Sequence, residues 1–170
     1  MRLPTFSELE SGYLKYGRDY PGGGVTSQQF GNIVGGKVQA NIQSGVFTNT
    51  CALRVSHALN SCNARPPFIG HKIPRISGQT SSAANGDWYI FRVKALHTYM
   101  LNTYGPPSLS SSNPSDFAGR KGIIMYDMGN FWSDATGHFT LYNDSRRLGG
   151  NYKHSYYLKN GVQAHLWETN

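Results

Sequence analysis

The stretch TNTCALRVSHALN, residues 48–60, places a cysteine at the start of a helix and is the point from which the fold can be predicted. Three capping residues, Thr48, Asn49 and Thr50, precede Cys51, and apolar residues recur behind it at helical spacing. A helix N-terminus carries roughly half a positive charge and free amide donors, so it stabilises a thiolate, the nucleophilic form of cysteine. The alternative is that Cys51 is a small buried apolar residue, as most unpaired cysteines are.

Length and charge limit the class of protein. The chain has 170 residues, which suits a single domain over residues 1–170 and is too short for two domains that each have a core of ordinary size. Sixteen Lys and Arg against nine Asp and Glu give a formal net charge of +7, which favours an acidic partner such as bacterial cell wall, anionic lipid or nucleic acid. The basic residues are scattered and form no nucleic-acid-binding signature, so nucleic acid is not the expected partner.

The sequence shows neither a membrane span nor a secretion leader. No apolar run approaches the roughly 18 residues that a bilayer-spanning helix needs, so membrane insertion is not expected. The N-terminal stretch MRLPTFSELESGY lacks the apolar core of a signal peptide, which makes the general secretory route an unexpected one.

The order of predicted elements indicates an α+β fold. TFSELE, residues 5–10, has capping-box spacing, and a second helix is predicted from Trp88 to Tyr104. Residues 20–37 are turn-rich and show little regular periodicity. Four short aromatic and β-branched runs then predict an antiparallel sheet: KGIIMYDM, GHFTLYN, NYKHSYYL and VQAHLWE. Helices packed on a C-terminal antiparallel sheet give the predicted architecture.

His138 is the predicted partner of Cys51 among the six histidines. It follows Gly137 and begins the HFTLY strand, and a rigid strand start that faces a helix N-terminus is where papain-type enzymes place their base. His57 lies on another face of the Cys51 helix, and His97 lies on an apolar helix face typical of a core histidine. The sequence has no HExxH, no CxxC and no tight His/Cys cluster, so neither a metal nor another cofactor is expected.

Three segments resemble a known family: TNTCALRVSHALN, GRKGIIMYDMGNFWSDATGHFTLYN and NGVQAHLWE. They are similar to the fourth family of type VI secretion amidase effectors, compact NlpC-type members of the papain-like peptidases. The resemblance implies a catalytic domain that cuts the peptide stem of peptidoglycan between D-glutamate and meso-diaminopimelate, with Cys51 as nucleophile and His138 as general base. It also implies delivery by the type VI secretion apparatus into the periplasm of a rival bacterium, and a cognate immunity protein that blocks the cleft.

The third catalytic position departs from the family pattern. The family usually has an Asp about eleven residues past the His, and this chain has Gly149 there, followed by Gly150. Paired residues of a hairpin are equidistant from its tip, so a tip centred between Asn143 and Asp144 places Gly149 opposite His138.

A wider tip leads to a different third member. A four-residue tip over residues 143–146 places Asn151 opposite His138, and an Asn side-chain carbonyl can orient an imidazole as in Cys-His-Asn triads. Asp144 is the alternative third member because it is a carboxylate, although it lies six residues along the strand, roughly 20 Å away at about 3.3 Å per residue. The sequence therefore predicts Asn151, with Asp144 as the alternative.

Three further residues are candidates for substrate binding. Arg54, one turn beyond Cys51, can meet a substrate carboxylate, or it can lie on a solvated helix face. Trp132 and Asp134 either line the cleft or only shape the turn that leads into the His138 strand. Acyl transfer by the same Cys-His pair is a second possible reaction. The alternative of another class is a basic cell-wall or nucleic-acid binding module without catalysis, in which Cys51 is core packing.

Overall fold

The computed structural model describes residues 1–62, 72–133, 135–144 and 146–170 of the chain. The helices are α1 (Phe6–Gly12), α2 (Ser27–Val34), α3 (Gly36–Gln43), α4 (Cys51–Cys62), α5 (Val93–Tyr104) and α6 (His154–Asn160). The strands are β1 (Thr80–Ser82), β2 (Trp88–Ile90), β3 (Leu109–Ser111), β4 (Lys121–Asp127), β5 (Gly137–Asn143), β6 (Arg146–Arg147) and β7 (Gln163–Glu168). An antiparallel sheet has the order β3-β7-β4-β5-β6, and β1 pairs separately with β2. Within the described ranges, no helix is both long and apolar enough to cross a membrane.

Helix α4 is the central core element and holds Cys51 rigidly. It packs against β5, α1 and β2, and along its length every residue except His57 and Ser61 is buried. Burial of each large apolar side chain, such as Leu53 or Leu59, contributes about 1.5–3 kcal/mol. The predicted helix over this stretch is confirmed, and its position in the core fixes the site of the cysteine.

The predicted strand NYKHSYYL is wrong, because this segment contains α6. The tyrosines suggested a strand, since aromatic residues are enriched in sheets. However, Tyr157 and Leu158 lie three and four residues after His154, which puts them on one helix face against the sheet, and both are buried. Tyr152, which precedes α6, stacks on Tyr156 within it at 4.1 Å between ring centroids.

Two other parts of the secondary-structure prediction need correction. The helix predicted from Trp88 begins only at Val93, because residues 88–90 form β2 opposite β1; its end at Tyr104, before Gly105 at φ 86°, is confirmed. The turn-rich segment 20–37 contains α2 and the start of α3. The missed signal there was the capping box of α2, in which Thr26 and Gln29 satisfy each other's backbone amides.

The remaining sheet predictions are confirmed. KGIIMYDM forms β4, GHFTLYN forms β5 and VQAHLWE forms β7, with β4 between the other two. One face of the sheet packs on α4 and α5 through residues such as Phe139 and Leu141. The other face packs on α6 through residues such as Tyr126 and Tyr157.

Candidate active site

Cys51 lies at the buried start of α4, beside the start of β5. Its residue surface is 0% exposed. The thiol accepts a hydrogen bond from the backbone amide of Phe139, the residue that follows His138, and it also contacts the Asn49 side chain. Burial is the largest influence and raises the pKa of the Cys51 thiol to about 11. At neutral pH the free protein therefore holds Cys51 as a thiol.

Asn49 caps α4 and occupies the amide that a reaction would need. Its Oδ1 accepts a hydrogen bond from the Cys51 backbone N–H at 3.0 Å. This amide, at a helix N-terminus, is the natural donor to an oxyanion formed beside the thiol. The capping contact thus keeps a buried donor satisfied while no substrate is bound.

His138 is held at the start of β5 by stacking and by one main-chain contact. The imidazole is 5% exposed and stacks on the Tyr157 ring, at 5.1 Å between centroids and an interplanar angle of 1°. Its Nε2 lies 3.1 Å from the carbonyl oxygen of Gly149. A carbonyl can only accept, so this contact requires the proton on Nε2 and leaves the Nδ1 lone pair available to take a proton.

Burial makes His138 a weak base in the free protein. Desolvation lowers the pKa of the imidazole to about 4, the Gly149 carbonyl opposes this shift, and the nearby positive charge of Arg147 adds to it. At neutral pH, Cys51 is therefore an uncharged thiol and His138 is an uncharged imidazole.

The returning chain after β5 explains why Gly149 reaches the imidazole. Asn143 pairs with Arg146 across the tip, and the same register extended along β5 sets Asn151 opposite His138, as the sequence predicted. However, β6 ends at Arg147, so the ladder stops before that pair is reached. The predicted contact of the imidazole with the Asn151 side chain is replaced by the contact with the Gly149 carbonyl.

The two side chains proposed as third member lie elsewhere. Asn151 is exposed and lines the cavity that His138 borders. Asp144 is at the hairpin tip, where its Oδ1 accepts a hydrogen bond from the Gly119 backbone N–H at 2.8 Å. Its carboxylate therefore caps a neighbouring loop rather than orienting the base.

The N-terminal segment fixes the direction of the Gly149 carbonyl. The backbone N–H of Tyr16 donates to Leu148 O at 3.1 Å, and that of Arg18 donates to Gly150 O at 3.4 Å. The carbonyl between them points the other way, toward Nε2 of His138. Gly150 adopts a φ of +119°, and a Cβ there would lie 2.7 Å from the same Nε2. A side chain at position 150 is therefore incompatible with this arrangement.

Two adjoining cavities form a cleft over the pair. The larger, of about 680 Å³, is bordered by His138, Arg54 and Trp132, and the smaller, of about 400 Å³, by Cys51. Asn49 and Ala135 line both cavities, so they mark the boundary between them. The structure thus places His138, Arg54 and Trp132 on the larger cavity and Cys51 on the adjoining smaller one. Asp134 lies outside the described residues.

Arg54 is a buried cation and does not lie on a solvated helix face. It is 1% exposed, with Nε donating to Thr50 Oγ1 at 3.0 Å and Nη1 donating to the Leu14 carbonyl at 2.9 Å. Its guanidinium lies 3.8 Å from the centroid of the Tyr16 ring. Among the described residues, no carboxylate forms an ion pair with Arg54, so it presents uncompensated positive charge at the cleft wall.

Sequence reasoning missed two functional features of the site. Asn49 could have been singled out, because an Asn two residues before a helix-start cysteine can reach its amide. No side chain signalled the role of the Gly149 carbonyl, although the Gly149-Gly150 pair marked an unusual turn.

In the described ranges, no group of three His, Cys, Asp or Glu side chains lies close enough together to hold a metal ion.

A cysteine at a buried helix start and a histidine on the adjacent antiparallel strand, each lining one of two adjoining cavities, fit the papain-like, NlpC-type α+β fold that the chain has. The family model described as "Type VI secretion system (T6SS), amidase effector protein 4", or Tae4, matches residues 47–167. This chain belongs to that family of amidase effectors, and it is an antibacterial enzyme that acts on peptidoglycan.

Solved structures agree with this assignment. The chain is similar to Tae4 from Salmonella Typhimurium in an effector–immunity complex with Tai4, with 31% identity, a TM-score of 0.79 and coverage of 99% of this chain and 100% of that one. It is similar to Tae4 in the Tae4–Tai4 complex from Enterobacter cloacae, with 31% identity, a TM-score of 0.77 and complete coverage of both chains. Among curated proteins, none matches the chain significantly.

Proposed function

We propose that this enzyme hydrolyses the bond between D-glutamate and meso-diaminopimelate in the peptide stem of peptidoglycan, with Cys51 as nucleophile and His138 as base, and that residues 1–170 act as one catalytic domain. The observation that carries the proposal is the hydrogen bond from His138 Nε2 to the Gly149 carbonyl at 3.1 Å. It fixes the tautomer whose Nδ1 can accept the thiol proton, beside a cysteine at a helix N-terminus.

The reaction uses the pair in two half-reactions. In the first, His138 Nδ1 takes the Cys51 proton while Sγ attacks the amide carbon, and the imidazolium then gives this proton to the departing diaminopimelate amine. The D-glutamyl group remains on Sγ as a thioester. In the second, Nδ1 takes a proton from water, the hydroxide attacks the thioester carbon, and the proton returns to the sulfur as the carboxylate product leaves.

The neutral resting pair determines how the proton moves. Because the pKa of the thiol is raised to about 11 and that of the imidazole is lowered to about 4, the charge-separated pair is not the resting state. Proton transfer therefore accompanies attack on the substrate. The positive end of α4 and the Cys51 backbone N–H stabilise the oxyanion once Asn49 Oδ1 releases that amide.

Charge at the cleft wall supports a carboxylated substrate. Arg54 has no carboxylate partner among the described residues, and its buried guanidinium lines the cavity beside His138. A free carboxylate of the stem next to the scissile bond would compensate that charge, which in a desolvated site is a strong interaction. We assign Trp132 to the wall that contacts the stem, and Asp134 stays a prediction for the same role.

The family membership extends the proposal to partners and location. Type VI secretion delivers the effector to the target cell, and we propose that it acts there in the periplasm, where the stem peptides are. The similar Salmonella and Enterobacter proteins were solved with Tai4 immunity proteins. We propose that a cognate immunity protein of this effector blocks the cleft between Cys51 and His138.

The test is cleavage of purified sacculi, with the released muropeptides identified by mass spectrometry. Cys51→Ala and His138→Ala should each reduce release at least about 10⁴-fold, and the double variant should be no worse, because the pair acts as a unit. Cys62→Ala, which removes the other buried thiol of α4, is the matched control and should keep activity. Cleavage of another bond would refute the stated specificity, and wild-type binding to sacculi without any release would favour a non-catalytic binding module.

A further inference from the structure

An aromatic cluster extends the cleft on its His138 side. We call Phe131, Trp132, Tyr152 and Tyr156 the aromatic platform. Tyr152 stacks on Tyr156 at 4.1 Å, Trp132 lies 6.3 Å from Tyr152, and Phe131 lies 6.4 Å from Tyr156, all between ring centroids. The four rings therefore form one contiguous cluster, in which one face of Tyr152 and one face of Tyr156 are stacked on each other and the other contacts are tilted or edge-on.

Two of the four platform side chains are exposed, and Trp132 and Tyr156 are partly buried against the core. Phe131 is 51% exposed and Tyr152 is 43% exposed. Other exposed apolar side chains, such as Ile33 on α2 and Val46 after α3, do not belong to a ring cluster. Single exposed apolar residues are ordinary, but a contiguous apolar patch marks a binding surface. Packing against the core accounts for the positions of Trp132 and Tyr156 but not for the exposure of Phe131 and Tyr152.

The platform is continuous with the cleft. Trp132 and Tyr152 line the same cavity as His138 and Arg54. A substrate whose scissile amide reaches Cys51 therefore has its neighbouring groups against these rings. Aromatic rings offer apolar faces, and the tyrosine hydroxyls add hydrogen-bonding groups at their edges. This combination suits a flat ligand that carries C–H groups on its faces and hydroxyls around its rim.

We propose that the aromatic platform binds a sugar ring of the glycan strand to which the stem peptide is attached. This proposal rests on the proposed function. A stem bound at Cys51 is still attached to its sugar, and each extended residue between them spans at most about 3.6 Å, so the sugar lies within a few residues' reach of the site. A pyranose ring places its C–H face on an aromatic ring and keeps its hydroxyls in water. The platform thus makes the enzyme favour stems that still carry their glycan.

The test compares two soluble substrates with the same stem, one bearing the disaccharide and one without sugar. For the wild type, kcat/KM should be higher on the disaccharide-bearing stem. Phe131→Ala combined with Tyr152→Ala should reduce this preference about tenfold, mainly through KM. Tyr152→Phe, which keeps the ring, should retain most of the preference. Ile33→Ala combined with Val46→Ala is the control for loss of exposed apolar area.

The outcomes separate the platform from the proposed function. An unchanged preference in the Phe131/Tyr152 double variant would overturn the glycan assignment. An unchanged preference together with lost affinity for the immunity protein would show that the platform is a protein interface instead. If the wild type cleaves neither substrate, the proposed function fails. Calorimetric binding of the uncleaved disaccharide-bearing stem to the wild type and to the double variant would then decide the platform on its own.

Discussion

The two halves of the active site are built by different means. Cys51 lies at the N-terminus of a helix that is buried on almost every side, and the local sequence predicts both the helix and its capping residues. His138 also begins a regular strand, but its orientation depends on the carbonyl of Gly149, in a turn pinned by the backbone of residues 16–18. The proposed nucleophile is therefore placed by side-chain packing, and the proposed base by main-chain geometry.

This difference changes what each half tolerates. A helix in the core keeps its position through many apolar contacts. The displacement caused by one substitution near Cys51 is therefore resisted by several neighbouring side chains. The orientation of the carbonyl that faces His138 depends on the local backbone conformation, which includes Gly150 at φ +119°. The base side should therefore be the more sensitive half to a small change in the chain that contacts it.

Gly150→Ala should have the largest effect. The added Cβ would lie 2.7 Å from His138 Nε2 and 2.8 Å from the Tyr157 hydroxyl, and an L-residue is strained at this φ. We expect kcat on sacculi to fall about 10²-fold because the base is displaced. Gly86→Ala is the matched control: Gly86 has φ +86° with nothing within 4 Å of a Cβ, so that variant should lose stability and keep activity. Equal activity losses in the two variants would show that strain alone is responsible.

Acid should destabilise the protein through His138. Its pKa is about 4 in the folded protein and about 6.5 when unfolded, so the unfolded state binds the proton first as pH falls. This stability is present above pH 6.5 and is lost toward pH 4, by up to about 3 kcal/mol. Urea titrations of His138→Gln should show a shallower loss of the free energy of unfolding across this window.

His154→Gln is the control for the acid effect. Burial and the charge of Arg147 also lower the pKa of His154 to about 4, so its variant should likewise flatten the pH dependence. His154 lies against Tyr126 and does not reach the cleft lining, so activity at neutral pH should persist in this variant and vanish in His138→Gln. The same acid sensitivity in His138→Gln as in the wild type would mean that the imidazole is not desolvated as described.

Asn151→Ala should have only a small effect on turnover, less than about threefold, because the orienting contact is made by the main chain. Asp144→Ala should leave turnover unchanged and cost about 1 kcal/mol of stability, since it removes the hydrogen bond to the Gly119 amide. Steady-state rates on the same sacculi check both. A loss above 100-fold in Asn151→Ala would restore the side-chain triad that the sequence suggested.

Local sequence patterns were enough to predict most of the helices and strands around the site. Helix α4 and strand β5 follow from capping residues, apolar spacing and β-branched runs within short windows, whereas the pairing of Cys51 with the His138 strand came from the likeness to papain-type enzymes. Segment 151–158 was misjudged because tyrosine favours strands, whereas Tyr157 and Leu158 are buried against the sheet from one face of α6. Local propensity and tertiary packing conflicted there, and packing decided the outcome.

The partner of His138 could not be predicted for a different reason. The observed pairing of Asn143 with Arg146 agrees with the wider tip, but β6 ends at Arg147, before Asn151 could pair with His138, and the chain beyond it bonds to residues far away in sequence. Main-chain carbonyls are present at every residue, so no residue type signals their use. The Gly149-Gly150 pair was the one sign in the sequence of an unusual turn. The orientation of the Gly149 carbonyl depends on the hydrogen bonds that the backbone amides of Tyr16 and Arg18 donate to this turn.

The measurement that tests the central claim most directly is the tautomer of His138, read by ¹⁵N NMR on protein labelled at histidine, with His138→Gln to assign the signal. The hydrogen bond to Gly149 predicts a neutral ring at pH 7 with the proton on Nε2 and a bare Nδ1, a state that should persist down to about pH 5. A proton on Nδ1, or an imidazolium at pH 7, would contradict the account.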